Sequence, residues 1–333
     1  MPPAVELVTA LAADPEFRQP RDARGRFVNL DGSGPPQFSR IFRWAVVDRL
    51  LGRRRRSPAR AAVPHRAVDL ARVALPPAPG ELARLSWLGH AGFLLQLDGV
   101  SLLIDPVLTD RPRFLDRNAP AGVRIEDLPP VDAVLITHSH YDHLALETLE
   151  RVRAPVVTGL GMRPLLEERG LAALELGWWQ SAVVGRSPGV KVTFVPAQHW
   201  SRRGLSDTNR RLWGGFVVEG RRQAVYHSGD TALFDGFAGI GRRFPGLDAA
   251  LLPIGAYDPA WFMERQHMSP EQALAAFQAL GAKCFVAMHW GTFKLTDEPL
   301  DEPPRRLEAE RQRLGLPPER VRVPAVGETL DLR

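Results

Sequence analysis

The chain is poor in cysteine, with Cys284 alone among 333 residues. An intrachain disulfide is therefore excluded, and a bound metal ion cannot be held by a cage of thiolates. Cys284 lies in the apolar run 284–288, which favours a small buried hydrophobic side chain over a nucleophile.

Long apolar runs are also absent. No stretch of about 18 or more apolar residues occurs, so the sequence predicts no membrane-spanning helix. The first 20 residues include Asp14, Glu16 and Arg18 and lack the uninterrupted apolar segment of a secretory signal. These absences predict a cytoplasmic protein, and they leave a peripheral position on the inner membrane face open.

Charge is moderately one-sided, with 43 lysines and arginines against 38 acidic residues and a net charge of +5. This balance favours polyanionic partners, which include phosphorylated substrates, an anionic membrane face and nucleic acid. A basic nucleic-acid-binding protein is the non-enzymatic alternative. The sequence has neither an aromatic-basic stripe nor a recognisable nucleic-acid module, so we expect no such partner.

The first 80 residues differ from the rest in their frequent proline, glycine and arginine. Within them, the stretch 38–51 has helical periodicity and is followed by the basic run 53–56. Its apolar side consists of Ile41, Trp44, Ala45, Val47 and Leu51. The helix could dock on the main domain with a solvated charge run behind it, or lie on an anionic membrane. We predict an N-terminal extension over 1–80 and a main domain over 81–333.

The main domain opens with a predicted β-meander over 85–106, in which His90 and Asp105 interrupt or end strands. We expect Asp105 to orient a metal-binding histidine rather than to bind metal itself. A helix is predicted to begin at Ser269, with Pro270 at its first position and Gln272 completing a capping box. Gly281 is predicted to end it.

The most informative stretch follows the apolar run 131–136, which reads as a buried strand that ends at a polar loop. The loop carries three imidazoles and one carboxylate, namely His138, His140, Asp142 and His143. These groups suit zinc and comparable divalent ions. A surface cluster without metal is the alternative.

Three further predicted strands each end in one metal-competent residue, namely His199, Asp230 and His289. Ligands gather outside strand ends in α/β sheets, so all seven side chains are expected to converge. Two metal ions that share a hydroxide would use all seven side chains as ligands. The predicted ligand sets are His138, His140 and His199 for one ion, and Asp142, His143 and His289 for the other, with Asp230 bridging.

The pattern His-x-His-x-Asp-His at 138–143 resembles the signature of the metallo-β-lactamase fold superfamily, and all seven positions match its metal ligands. The resemblance implies an α/β fold, a four-layer αββα sandwich with a dinuclear site at one edge. Asp230 stands where lactamases proper carry a cysteine ligand. This difference points to the phosphodiesterase, lactonase and thioester hydrolase branches.

Further motifs resemble those of the N-acyl-phosphatidylethanolamine-hydrolysing phospholipases D over roughly 84–304. They are 87–91, 137–144, 198–200, 212–214, 229–231, 253–257, 261–263, 266–267 and 289–293. The segment 25–29 and the helix around Trp44 are similar more weakly. The resemblance implies two divalent ions, with zinc expected, and hydrolysis of a phospholipid to an N-acylethanolamine and phosphatidic acid. It is also compatible with a homodimer.

The same resemblance implies substrate contacts. Tyr141 and His267 match positions that contact the lipid head group and phosphate, and Arg202 and Arg203 match a basic pair. Plainer roles stay open: a pocket wall for Tyr141, a helix-entry residue for His267, and a solvated pair for the arginines. Ser206 stands where the family carries a large apolar residue, which leaves membrane engagement open.

The expected reaction is metal-assisted hydrolysis of a phosphodiester without a side-chain nucleophile. Asp142, Asp230 and His267 are the predicted catalytic residues, and His267 or a metal-bound water would assist the leaving group. A soluble lactonase or small-molecule phosphodiesterase on the same scaffold is the alternative. Dependence of activity on a lipid interface distinguishes the two.

Overall fold

The computed structural model of the protein describes residues 19–110, 112, 115–185 and 189–333. Within these residues, fourteen strands form two sheets of seven strands each. The first 18 residues of the predicted extension, including Asp14, Glu16 and Arg18, lie outside the described part.

Fourteen strands follow one another along the described part of the chain, and those predicted from the apolar runs are among them. They are β1 (Arg84–Gly89), β2 (Gly92–Leu97), β3 (Val100–Ile104), β4 (Ala133–Ile136), β5 (Val156–Gly159), β6 (Ala173–Leu176), β7 (Ser181–Val184), β8 (Val190–Val195), β9 (Gly215–Glu219), β10 (Ala224–His227), β11 (Ala249–Pro253), β12 (Cys284–Met288), β13 (Val321–Arg322) and β14 (Thr329–Asp331). The first sheet has the order β14-β1-β2-β3-β4-β5-β6, and the second has the order β13-β12-β11-β10-β9-β8-β7. The predicted meander is confirmed as β1 to β3.

Helices connect and cover the strands. They are α1 (Phe38–Phe42), α2 (Asp48–Leu50), α3 (Leu70–Val73), α4 (Leu146–Val152), α5 (Arg163–Glu167), α6 (Gly236–Arg243), α7 (Ala260–Met263), α8 (Pro270–Leu280) and α9 (Glu302–Arg313), with a π-helical turn at Arg43–Val47 and 3₁₀ turns at Ile125–Asp127 and Pro318–Arg320. None of the helices in the described ranges has the length and apolar composition needed to cross a bilayer.

Helix α8 confirms the predicted capping box. The Ser269 side chain accepts the backbone N–H of Gln272, and the Gln272 side chain accepts the backbone N–H of Ser269 at 2.9 Å. Gly281 ends the helix at φ 67°, in the left-handed region that glycine adopts without a Cβ clash.

The core lies between the two sheets, and a second apolar layer lies outside the first sheet. Leu102 and Ile104 of β3 join the layer between the sheets, which includes Phe194 of β8. Leu103, the residue between them, packs with Leu149 of α4 in the outer layer. Successive side chains of a strand point to opposite faces, so a fully apolar strand serves two layers. The predicted αββα sandwich is confirmed.

Strand directions bring the polar loops together. β1 and β3 are both antiparallel to β2, and β3 is parallel to β4. β8 and β10 are both antiparallel to β9, and β10 to β12 run parallel. The loops after β1, β3 and β4 therefore leave the first sheet at one end, as the loops after β8, β10 and β12 do in the second. Their histidines and aspartates meet at one edge of the sandwich.

The apolar face predicted for the N-terminal helix is partly wrong. Ile41, Trp44, Ala45 and Val47 are half-buried as predicted, but Leu51 is 57% exposed and Asp48, placed off that face, is buried. The cause is the π-helical turn Arg43–Val47, which closes i→i+5 hydrogen bonds and widens the turn. Positions after it are therefore shifted around the helix axis relative to an α-helical wheel.

Two arginines of the basic run 53–56 pair with acidic residues elsewhere in the chain. The buried carboxylate of Asp297 accepts the indole N–H of Trp44 at 3.0 Å and the Nε–H of Arg54 at 2.9 Å. Arg55 pairs with Glu302 and lies 3.6 Å from Asp258. Arg53, Arg55 and Arg56 are nevertheless exposed, so part of the run remains a surface charge. The pairs made by Arg54 and Arg55 hold the N-terminal helix against residues 258–302.

The capping box of α8 yields a stability prediction. Replacing Ser269 with alanine removes the acceptor for the Gln272 N–H and should lower the free energy of unfolding by about 1 kcal/mol in urea denaturation. Ser206→Ala, at an exposed serine, is the matched control and should stay within about 0.5 kcal/mol of the wild type. Equal stabilities of the two variants would contradict the assigned cap.

Candidate metal centre

The loop after β4 bends sharply behind its first two histidines. The backbone N–H groups of His143 and Leu144 both donate to the carbonyl of His140, at 3.2 and 2.9 Å. Upstream, the backbone N–H of Thr137 donates to Asp105 at 2.8 Å and its hydroxyl donates at 2.6 Å. The turn separates His138 and His140 from the pair Asp142 and His143, so the loop presents two groups of side chains.

The first group joins this loop to the ends of β8 and β10. Nδ1 of His140 lies 2.9 Å from Nε2 of His138 and 3.3 Å from Nε2 of His199. Oδ2 of Asp230 lies 3.9 Å from Nε2 of His138 and 3.8 Å from Nε2 of His199. Four ligands around a tetrahedral zinc ion are about 3.4 Å apart, given bonds of about 2.0–2.1 Å. The spacing of this group fits such an ion.

The second group joins the loop to the end of β12. Oδ2 of Asp142 lies 3.8 Å from Nε2 of His143 and 3.7 Å from Nε2 of His289. Oδ1 of Asp230 lies 3.2 Å from Nε2 of His143 and 3.1 Å from Nε2 of His289. Asp230 therefore directs one carboxylate oxygen toward each group. The structure brings together all seven side chains that the sequence singles out.

The nitrogen and oxygen atoms that would bind metal are buried, and several of them lack a hydrogen-bond partner in the protein. Nε2 of His143, Nε2 of His289 and Oδ1 of Asp230 have no hydrogen-bond partner among the described residues. Buried polar atoms are normally paired, and each orphan needs an explanation. These atoms face one another at 3.1 and 3.2 Å, so a cation between them would satisfy all three. The residues fit divalent metal ions.

Electrostatics divide the histidines into two types. Burial, together with nearby His143, His140 and His199, holds the pKa of His138 well below its ordinary value. Burial alone would lower the pKa of His289 too, but the carboxylates of Asp230 and Asp142 raise it to about 9. The protein alone therefore uses a proton on His289 to balance buried carboxylates. A divalent cation would take over that role.

Hydrogen bonds behind the site orient the rings. Nδ1 of His143 donates to Asp105 at 2.7 Å, and Nδ1 of His199 donates to the carbonyl of Gln266 at 2.9 Å. Each bond fixes the tautomer and turns Nε2 toward the centre of the cluster. The contact of Asp105 with His143 is the one expected of an orienting residue.

His90 belongs to the cluster although sequence reasoning left its role open. It follows β1, and its Nε2 lies 3.0 Å from Oδ2 of Asp142. With Asp142, His143 and His289 it forms a group that could hold a metal ion. The signal in the sequence was a lone histidine that interrupts a strand, which by itself does not reveal its partner.

The cluster forms the floor of a cavity of about 580 Å³. Its walls are largely apolar and include Ile41, Trp44, Phe262, Met263 and Leu295. Trp44 stacks on Phe262 with ring centroids 5.4 Å apart, and the guanidinium of Arg54 lies over the Trp44 ring at 4.3 Å. Residues of the N-terminal extension thus complete a pocket whose floor belongs to the main domain.

The four predicted substrate-contact residues, Tyr141, Arg202, Arg203 and His267, all line this cavity. Tyr141 donates its hydroxyl hydrogen to the carbonyl of Arg203 at 2.5 Å, and the Arg203 guanidinium lies 4.3 Å over the Tyr141 ring. Arg203 also donates to the carbonyls of Ser139 and Leu144. Arg203 therefore supports the loop, whereas Arg202 is exposed near Trp200.

His267 is buried beside the first group, with its ring centroid 5.2 Å from that of His199. Its Nδ1 has no hydrogen-bond partner in the described part of the chain. Burial holds the pKa of His267 well below its ordinary value, so the ring is neutral near pH 7. Leu205, next to Ser206, is 98% exposed at the cavity rim. Sequence reasoning considered Ser206 and overlooked this leucine.

Comparison with known proteins identifies relatives. A family model described as the beta-lactamase superfamily domain matches residues 101–290. The chain is 36% identical over 228 residues to N-acyl-phosphatidylethanolamine-hydrolyzing phospholipase D 1 of Caenorhabditis elegans. That match covers 63% of this chain and 64% of the nematode protein, so the chain spans less than two thirds of that relative.

Two further relatives carry broader descriptions. A UPF0173 metal-dependent hydrolase of Methanopyrus kandleri is 32% identical over 241 residues, with 70% of this chain and 93% of that protein covered. The solved structure of Igni18, a metallo hydrolase from the hyperthermophilic archaeon Ignicoccus hospitalis, superposes with a TM-score of 0.59 at 29% identity. The superposition covers 75% of this chain and 98% of Igni18.

The raised pKa of His289 predicts how metal-free protein responds to pH. Its pKa of about 9 lies above the ordinary 6.5, so the stability that it contributes is present below pH 6.5 and is lost as pH rises toward 9. Thermal melting in EDTA should therefore fall over this interval. Excess zinc should flatten the profile, because the cation replaces the proton. A metal-free profile that is already flat would contradict the prediction.

Proposed function

The chain belongs to the beta-lactamase superfamily and is a metal-dependent hydrolase, and from that premise we propose that it hydrolyses N-acyl-phosphatidylethanolamine-like phospholipids as a phospholipase D. The products would be an N-acylethanolamine and phosphatidic acid. The observation that carries the proposal is the position of the histidine and aspartate cluster at the floor of an apolar cavity.

The proposed ligand sets are those named from the sequence. His138, His140 and His199 would hold one ion, Asp142, His143 and His289 the other, and Asp230 would bridge them. Distances of 2.9 to 3.9 Å between the donor atoms support this assignment. Divalent ions bound there, with zinc as the expected metal, would activate water near neutral pH and neutralise phosphoryl oxygens.

The cavity wall supports a lipid substrate. Trp44, Phe262 and Met263 offer apolar surface directly above the polar floor. A phosphodiester placed at the floor would put an acyl chain along this wall, where burial of each methylene contributes about 0.8 kcal/mol. A small polar substrate would gain nothing from that surface.

Polar residues of the rim would orient the head group. Arg202 is exposed beside Trp200 and could meet a phosphate oxygen. His267 would act as a hydrogen-bonding group rather than a proton donor, because its imidazole is neutral near pH 7. Tyr141 and Arg203 would shape the rim, since they are bonded to each other and to the loop. We retain Asp142, Asp230 and His267 as the catalytic residues.

Exposed apolar side chains support contact with a lipid surface. Leu205 lines the cavity, and Phe38 of α1 and Leu50 of α2 are 78% and 81% exposed. Arg40 of α1 and Arg49 of α2 would complement anionic lipid head groups. We propose that the rim and these N-terminal residues dock together on an anionic membrane, so that a phospholipid can pass into the cavity.

A soluble hydrolase, either a lactonase or a small-molecule phosphodiesterase, is the second candidate. The Methanopyrus kandleri relative, of which the chain covers 93%, is described only as a metal-dependent hydrolase, and that description fits this candidate as well as the first. In that case turnover would not depend on a lipid interface. The two candidates share the metal centre and differ only in what the cavity admits.

Substitution of the metal ligands tests the proposed chemistry. Asp230→Asn and His138→Ala should lower turnover of N-acyl-phosphatidylethanolamine in mixed micelles by at least about 100-fold, because each removes a proposed metal ligand. His65→Ala, at an exposed histidine, is the matched control and should retain wild-type turnover. Product release is followed by mass spectrometry alongside metal content. Full turnover by either ligand variant would remove this site from the reaction.

Substitution of the rim tests membrane docking separately. Leu205→Asp combined with Phe38→Ser should weaken co-sedimentation with phosphatidylglycerol vesicles several-fold, because both exposed apolar side chains leave the lipid surface. Hydrolysis of a soluble phosphodiester should be unchanged. Leu75→Ser, at a 75% exposed leucine that does not line the cavity, should bind vesicles like the wild type. Wild-type vesicle binding by the double variant would favour the soluble hydrolase.

A further inference from the structure

His90 occupies a backbone position that would suit glycine. It follows β1 with φ 56°, in the left-handed region that residues other than glycine rarely adopt. Its N–H donates to the hydroxyl of Thr292 at 2.7 Å, and its carbonyl accepts the backbone N–H of His289 at 2.9 Å. The strained turn is thus tied to the loop that carries a proposed ligand. Strain of this kind is typical of residues retained for their side chain.

The side chain of His90 is buried in the floor of the site. Its ring packs against His289 with centroids 4.0 Å apart, and Phe293 covers it at 5.0 Å. Its Nε2 lies 3.0 Å from Oδ2 of Asp142. The Nε2 atoms of His143 and His289 are farther from the same oxygen, at 3.8 and 3.7 Å, beyond hydrogen-bond length.

The direction of this hydrogen bond follows from the charge of Asp142. As a proposed metal ligand, Asp142 is a carboxylate, because a carboxyl group binds a metal ion in its deprotonated form. An ionised carboxylate only accepts hydrogen bonds, so the proton lies on Nε2 of His90. His90 is therefore a fixed donor to one oxygen of Asp142.

We propose that His90 is a positioning residue that holds Oδ2 of Asp142 toward His143 and His289. Asp142 lines the open cavity, so its carboxylate could rotate into that space without the bond. The inference rests on the proposed metal centre and deepens it. It implies that His90 governs the affinity of the second ligand set, whereas His138, His140 and His199, which it does not contact, keep theirs.

Two other roles make different demands on the side chain. As a metal ligand, His90 would use Nε2 for the ion and give up its bond to Asp142. As a filler of the floor, it would need only its volume. A glutamine side chain can donate a hydrogen bond to Asp142 but is a poor ligand for zinc or cobalt. Leucine retains volume without a donor. The pair His90→Gln and His90→Leu therefore separates the three roles.

Cobalt titration of metal-free protein tests the proposal without any substrate. Visible absorption and calorimetry give the number of bound equivalents and the dissociation constant of each. We expect two equivalents for the wild type. In His90→Leu, one equivalent should be unchanged and the other weakened about 10- to 100-fold, and the visible spectrum of that equivalent should change. His90→Gln should recover most of the lost affinity.

Three results would overturn the proposal. They are two wild-type equivalents in His90→Leu, a loss in His90→Gln as large as in His90→Leu, and a wild-type protein that binds a single equivalent. If His90→Leu does not fold, His90→Asn replaces it, since asparagine is too short to reach Asp142. Phe293→Leu, which alters packing on His90 but no polar contact with Asp142, is the control and should bind both equivalents normally.

The outcome is independent of the proposed substrate. Wild-type protein that binds two equivalents without cleaving phospholipid would refute the proposed function and leave the His90 inference standing. Wild-type protein that binds and cleaves, with no effect of His90→Leu on cobalt binding, would refute only the inference.

Discussion

The carboxylate of Asp230 lies between two groups of histidines, and the site depends on this contact. One oxygen approaches His138 and His199, and the other approaches His143 and His289. An ionised carboxylate buried to this degree is stable only beside compensating positive charge. Protons or metal ions can supply that charge, and the carboxylates of Asp230 and Asp142 raise the pKa of the buried His289, which favours a proton on its ring. A metal centre is the arrangement that satisfies both groups together.

The direction of the strands brings the residues of this contact together. Six strands that run the same way within their sheets deliver their following loops to one edge of the sandwich. The second layer of hydrogen bonds then orients the rings: Asp105 holds His143, and the Gln266 carbonyl holds His199. The strands lie in a core of interdigitated apolar side chains, which limits how far any ligand can move. Preorganisation of the site therefore follows from ordinary sandwich packing.

The N-terminal segment adds what the sandwich lacks. Trp44 contributes to the apolar wall above the polar floor of the cavity. The hydrogen bond from Arg54 to Asp297 holds the segment that carries Trp44 in place. The same segment presents Phe38 to solvent. One short helix therefore links the pocket interior to the surface proposed to meet lipid. The division of the chain at residue 80, predicted from composition, does not divide the pocket, which draws on both sides of it.

The sequence by itself determined the strands that precede the polar loops, the ends of α8 and the convergence of seven metal-competent side chains. These depend on local periodicity, on capping within one turn, and on the rule that polar loops follow strand ends. Only the tertiary structure decided that His90 donates to Asp142, that Arg54 pairs with Asp297 and that Leu205 projects at the rim. Arg54 and Asp297 are separated by 243 residues. Such contacts depend on how sheets stack and loops cross, and no short-range pattern of residue types carries that information.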